Sequence, residues 1–223
     1  HNLEHIKDPF KVLKKFVDHY DSNTIFCIEV PDADLMIKNY RFDQIFHQHY
    51  HYFNYNSLKN LTNRLGCRII AKKINYKFWG GSLMIAFKKD SRHTRVYNQK
   101  YNVNILENKI VRNYKQFKKS LSNLKNKIKS KTNLIGYGAG QMVPSFAYHL
   151  KSDFSFLNYI VDDNKNRDKQ KYPYLYPKLK FFNKKLLKNK DILITAFDGV
   201  NGISNKLKKL KLKFINPLPK NNI

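Results

Sequence analysis

The chain has 223 residues, 42% hydrophobic and 14% aromatic, which is enough for one large domain or two smaller ones and excludes a disordered tail. Its formal charge of +27 resembles a nucleic-acid signature, but the excess is almost all lysine, spread along the chain with abundant Asn, Ile, Tyr and Phe, as an AT-rich genome imposes on any surface. Arginine, the commoner fork for bases and phosphates, is scarce, so no specific nucleic-acid partner is expected. No apolar run reaches spanning length and no signal peptide is visible, which gives a cytoplasmic protein with no membrane partner as the expectation. Cys27 and Cys67 stand singly in apparent strands, where small buried thiols are usual; neither a disulfide framework nor a zinc knuckle is implied.

The chain opens abruptly at His1-Asn2-Leu3-Glu4-His5, without Met, and reads as a stretch with more protein upstream. Asp8 is a good N-cap and Pro9 suits a first helical turn. Phe10, Leu13, Phe16, Val17 and Tyr20 then recur at helical spacing. Thr24 to Val30 is a continuous apolar run suited to a strand buried on both faces, ended by Pro31 and Asp32. Asn56 or Ser57 caps a short helix that Gly66 stops. Cys67 to Ile74 and Ser82 to Phe87 read as strands joined by a loop with Trp79-Gly80-Gly81. Helix, strand, loop, helix, strand, strand is the second half of an open α/β sheet. Lys88 to Asn102 is polar and reads as a linker. Ile110, Tyr114, Phe117, Leu121, Leu124 and Ile128 then form the apolar stripe of a long helix, better suited to connecting domains than to self-association. Strand Leu134-Ile135, the turn Gly136-Tyr137-Gly138-Ala139-Gly140, a helix through His149 and strand Leu157 to Val161 with Asp162-Asp163 at its end have the shape of a nucleotide-binding unit. The glycines serve phosphate contact or close helix–strand packing about equally well.

Between the first strand and the second helix lies Arg41 to Phe53, with His47, His49 and His51 at alternate positions in an aromatic run. Imidazoles titrate near neutral pH, so this is a place where protons can be moved. Alternation is not the i, i+4 spacing of a helical zinc site, so no metal ligands are assigned.

The ordered pieces H-N-L-E-H-I-x-D-P-F, I-E-V-P-D, R-F-D-Q-I-F-H-Q-H, G-G-S-L, L-E-N-K-I, G-Y-G-A-G and V-D-D-N span essentially the whole chain. Together they resemble the C-terminal two-thirds of S-adenosylmethionine-dependent sugar C-methyltransferases acting on nucleotide-linked ketosugars. The resemblance implies an α/β chain: a partial class I methyltransferase (Rossmann-like) sheet over 1–89, a linker over 90–103, a long connecting helix over 104–132 and a second Rossmann-like domain over 133–223. It implies S-adenosylmethionine as cofactor of the intact protein, with a glycine-rich cofactor loop and a zinc module lying upstream, so that this stretch alone is expected to be inactive. In that family a histidine removes the proton next to the ketone, and the enolate attacks the cofactor's methyl group. The family pattern Tyr-x-Glu-His falls on Phe46, Gln48 and His49, with the phenol and the carboxylate replaced. His49 is thereby the implied base, His5 a second active-site histidine and Gln48 a positioning group. His1, Asn2, Leu3 and Glu4 are implied to line the cofactor cleft. Phe46, Gly80, Gly81, Ser82, Gly136, Tyr137, Gly138, Gly140 and Asp162 are implied to meet the nucleotide-sugar. A non-catalytic nucleotide-sugar module and a basic nucleic-acid-binding protein are the alternative readings.

Overall fold

The computed structural model describes residues 1–76, 80–90 and 103–218. The chain is α/β and forms two compact units that are each discontinuous in sequence. Unit 1 comprises His1–Asn39 and Ile45–Ile110; unit 2 comprises Tyr40–Gln44 and Val111–Ile223. The division thus falls inside a helix, while most of the expected linker lies outside the described residues.

In unit 1, Asp8 accepts the Lys11 N–H and, with Pro9 in the first turn, starts α1 (Pro9–His19). Val17 is buried, with Phe10 and Leu13 packed on the same core, whereas Phe16 and Tyr20, of the same apolar series, are about half exposed. Strand β1 (Phe26–Pro31) follows. Asp32 accepts the N–H groups of Asp34 and Leu35 and so caps α2 (Ala33–Lys38), where only a strand end was expected. The next helix, α3 (Tyr55–Arg64), is capped by Asn54 in a reciprocal box with Ser57, ahead of the expected Asn56 or Ser57. Gly66, at φ +69°, follows its end.

Strands β2 (Cys67–Asn75) and β3 (Ser82–Lys89) complete an antiparallel sheet of order β1-β3-β2. Central β3 alternates, burying Leu83, Ile85 and Phe87 against Val30, Leu58, Leu61 and Cys67 while Met84 points outward. Among the described residues β1 has a ladder partner on one side only. The exposure of Ile25 and Cys27 corrects the expectation of a strand buried on both faces, and of the two thiols only Cys67 is buried. Burial pushes the Cys67 thiol up.

Unit 2 is built on a parallel sheet. Helix α4 (Val103–Ile128) enters it from Val111 onward and buries Phe117, Leu121, Leu124 and Ile128, as the stripe predicts; Asn113 is also buried, and Tyr114 is partly exposed. There follow β4 (Leu134–Tyr137), α5 (Val143–Leu150), β5 (Ile160–Asp162), β6 (Leu179–Phe181), β7 (Asp191–Ile194), α6 (Val200–Lys209) and β8 (Phe214–Ile215). The order β6-β5-β4-β7-β8, all parallel, places the reversal of strand order between β4 and β7. This is a Rossmann-like, doubly wound arrangement, whose ligands characteristically sit at the carboxyl ends of the strands near that reversal.

Tyr40–Gln44, far upstream in sequence, belongs to this unit. Arg41 is buried and donates to both carboxylate oxygens of Asp43 at 2.8 Å, and also to Asp198 in the turn after β7. Burial works against the charged guanidinium, but the Asp43 and Asp198 carboxylates outweigh it and hold Arg41 protonated above its ordinary range. Phe42 is 1% exposed and packs edge-on to Tyr114 and obliquely to Phe117. Its carbonyl accepts from His149 Nε2 at 3.1 Å, and the Asp43 carbonyl accepts from Ser145 Oγ at 2.6 Å.

Two outcomes follow for stability. Phe42→Ala empties a fully buried aromatic site and is expected to cost about 3–5 kcal/mol, read as a fall in the urea midpoint of unit 2. Burial also lowers the His149 pKa, the first and largest influence on it. The unfolded chain therefore takes this proton before the folded one does, and the stability held above about pH 6.5 is lost as pH falls from there toward the depressed folded value. His149→Gln should flatten that slope in denaturation curves between neutral and mildly acid pH; an unchanged slope would assign it to other groups.

Candidate active site

The histidine segment is not an extended strand. Phe42–Gln44 form a 3-10 turn, and the His49 N–H then closes a turn on the Phe46 carbonyl at 3.1 Å. Alternation therefore does not put the three histidines on one face. His47 is exposed; His51 turns away and donates through Nε2 to the Lys7 carbonyl. His49 alone of the three meets His5, with ring centroids 4.8 Å apart, and it also lies on Phe46 at 4.3 Å.

What holds this loop is the 3-10 turn Leu3–His5. The Glu4 carbonyl accepts the N–H groups of Tyr50 and His51, and His5 Nδ1 donates to the Gln48 carbonyl at 2.9 Å. A carbonyl partner requires the proton on His5 Nδ1, so in the neutral ring the lone pair is on Nε2. Gln48 thus positions a ring nitrogen through its backbone, on His5, while its side chain is at the surface.

The Glu4 side chain is 3% exposed and points among the imidazoles: its Oε1 lies 3.7 Å from His1 Nδ1 and 3.9 Å from His5 Nε2, and its Oε2 has no hydrogen-bond partner. Glu29 extends the polar chain, with one oxygen accepting from buried Ser82 Oγ and lying 3.7 Å from His1 Nε2. Ser82, His1, Glu4, His5 and His49 are therefore brought into one polar cluster, joined by Glu29, which lies inside I-E-V-P-D without any spacing signal of its own. Tyr52 is a second residue the sequence did not single out. Its ring is 5.7 Å from His49, its hydroxyl accepts the Phe46 N–H, and burial pushes its pKa up.

The remaining unit 1 positions have packing roles. Gly81, at φ +135°, leaves no room for a Cβ against Leu35, and its carbonyl accepts the Asp32 N–H; the Gly80 carbonyl accepts from Asn39. Trp79 lies outside the described residues. Of the expected cofactor wall, Leu3 is in the core and Glu4 faces the histidines, which leaves His1 and Asn2 at the surface. Helices α1, α2 and α3 start at Asp8, Asp32 and Asn54, so among the described residues of unit 1 no glycine-rich turn cradles a methionine tail.

In unit 2 the turn after β4 is occupied by the chain itself. Asp162, at the end of β5, accepts the Ala139 N–H at 2.7 Å and the Asn164 N–H at 2.9 Å, with Arg167 alongside at 3.3 Å. Gly136 is a strand residue whose Cβ would strike Ile160 and Thr195; at Gly138 (φ +101°) and Gly140 a Cβ would press on Ala196. Close packing at these positions requires the absence of a Cβ. The Gly140 carbonyl accepts from the Tyr172 hydroxyl, whose pKa burial raises to about 12. Tyr137 donates its hydroxyl to Asp163, which also receives Lys206 Nζ. A carboxylate at the turn suits sugar hydroxyls better than phosphate.

Residues 1–72 match the family model of a methyltransferase domain. The C-methyltransferase NovU of Streptomyces niveus is 36% identical over 66 residues, which cover 30% of this chain and 16% of that enzyme. The matched part holds the whole histidine cluster; Ser82 and unit 2, apart from Tyr40–Gln44, lie beyond it. No helix among the described residues is long and apolar enough to cross a membrane.

Asp162→Ala strands two N–H groups at the turn and is expected to destabilise unit 2 by about 1–3 kcal/mol. Denaturation of the full chain checks this against the larger loss at Phe42→Ala.

Proposed function

We propose that unit 1 carries the proton-handling part of a C-methyl transfer from S-adenosylmethionine to a carbon next to the ketone of a nucleotide-linked sugar. The observation that carries the reading is the pairing of His49 with His5 around buried Glu4, inside the region that matches a methyltransferase domain. S-adenosylmethionine supplies the methyl group in such chemistry; His1 and Asn2 are the surface positions that would face it.

His49 takes the proton from the carbon next to the ketone. A neutral imidazole has the pKa range for this, whereas Gln48 accepts no proton. As the proton leaves, charge gathers on the ketone oxygen. His5, when protonated beside Glu4, offers an Nε2–H donor there, while the Gln48 carbonyl keeps its ring oriented. Phe46 forms an apolar wall against the His49 ring. In unit 2, taken by itself, exposed Asp163 at the carboxyl end of β5 suits the hydroxyls of a ligand better than a phosphate.

His49→Asn in the full-length protein should slow methyl transfer by about 100-fold or more and leave cofactor affinity nearly unchanged. His47→Asn and His51→Asn should be mild. Solvent exchange of the substrate's α-proton reads the base directly. If exchange survives His49→Asn but disappears with His47→Asn or His51→Asn, the assignment of the base is wrong.

A further inference from the structure

We infer that Glu4, His5 and His49 form a binding site for a divalent transition-metal ion, with zinc and cobalt as suitable probes. Alternation of His47, His49 and His51 excludes a helical zinc motif, but it does not test donors that come from two segments. The fold brings one donor atom from each of Glu4, His5 and His49 to within 4.8 Å of one another. A carboxylate with two imidazoles is a recognised donor set for zinc and for non-haem iron, with at least one position left open.

Two independent features of the cluster point to a cation. The first is Glu4 Oε2, buried in a side chain that is 3% exposed and without any hydrogen-bond partner. A buried carboxylate oxygen in that state carries a large desolvation cost that a metal ion would offset. The second is the orientation of His5. Its Nδ1–H is committed to the Gln48 carbonyl, so in the neutral ring the lone pair is on Nε2, on the side of Glu4. A ligand imidazole whose other nitrogen donates to a backbone carbonyl is the usual outer arrangement of a metal-binding histidine.

The spacing is loose but near. Donors about 2.0–2.1 Å from a tetrahedral ion stand roughly 3.4 Å apart, and His5 Nε2 already lies 3.9 Å from Glu4 Oε1. His49, on a partly exposed loop tied to the Glu4 carbonyl through Tyr50 and His51, is the ligand that closes the remainder. The inference stands apart from methyl transfer. Where both hold, a metal on His49 occupies the lone pair that accepts the proton, so the ion acts as an inhibitor.

The test uses the full chain, stripped by chelator and free of methyl donor and sugar. Cobalt is titrated by visible absorption, then displaced by zinc with calorimetry. One saturable ion per chain is expected. Glu4→Gln and His49→Asn should each weaken it by at least about 10-fold, whereas His47→Ala and His51→Ala leave it unchanged. No saturable binding below about 1 mM, or binding indifferent to His49→Asn, overturns the site. Should Glu4→Gln fail to fold, His49→Asn, on its partly exposed loop, carries the same decision. Neither substrate is present, so a negative result leaves the His49 base assignment standing, and failure of that assignment leaves this result unaffected.

Discussion

A single residue, Glu4, organises the candidate site from both of its ends. Its carbonyl takes two consecutive N–H groups from the histidine loop, and its carboxylate is buried among imidazoles. The first interaction decides which histidine turns inward: with Tyr50 and His51 tied down and His49 closing on Phe46, His47 is left at the surface and His51 is drawn to Lys7. The second sets the electrostatics. A carboxylate cut off from water favours positive charge nearby, whether it arrives as a proton on an imidazole or as an ion.

Unit 2 shows the opposite economy. At a doubly wound sheet the turn after the first strand ordinarily offers free N–H groups to a phosphate. Here Asp162 takes the Ala139 N–H, Tyr172 covers the Gly140 carbonyl, and Lys206 sits on Phe182 while pairing Asp163. The crevice keeps its place at the strand ends but presents carboxylates and aromatic faces.

Much of this was readable in advance, for local reasons. The α1 cap at Asp8, the stripe of α4 and the strand–turn–helix–strand of β4 to β5 are each specified by neighbours in sequence. The failures have a common physical origin in long-range packing. The run Thr24 to Val30 is apolar enough for two buried faces, but the face of β1 that carries Ile25 and Cys27 is exposed. The glycines of the β4 turn looked equally suited to phosphate and to packing; the packing requirement comes from Ala196, far downstream in sequence. The placement of the Glu4 carboxylate beside His1 and His5 depends on which way the 3-10 turn faces, and nothing in H-N-L-E-H reveals that. Arg41 and Asp43 carried no spacing signal, since their partner Asp198 stands 157 residues away from Arg41.

That ion cluster has a bearing on heredity and on the bench alike. A domain that is one contiguous stretch of gene can be duplicated, fused or excised by two cuts. Unit 2 is not of that kind: Arg41 and Phe42 are its interior, yet they are encoded within the stretch that encodes unit 1. A cassette starting at Val111 would leave Phe117 beside a hole, Asp198 without its guanidinium and His149 without its carbonyl partner. The two units are therefore bound to travel through evolution together, and recombination between them is penalised wherever the crossover falls after Gln44.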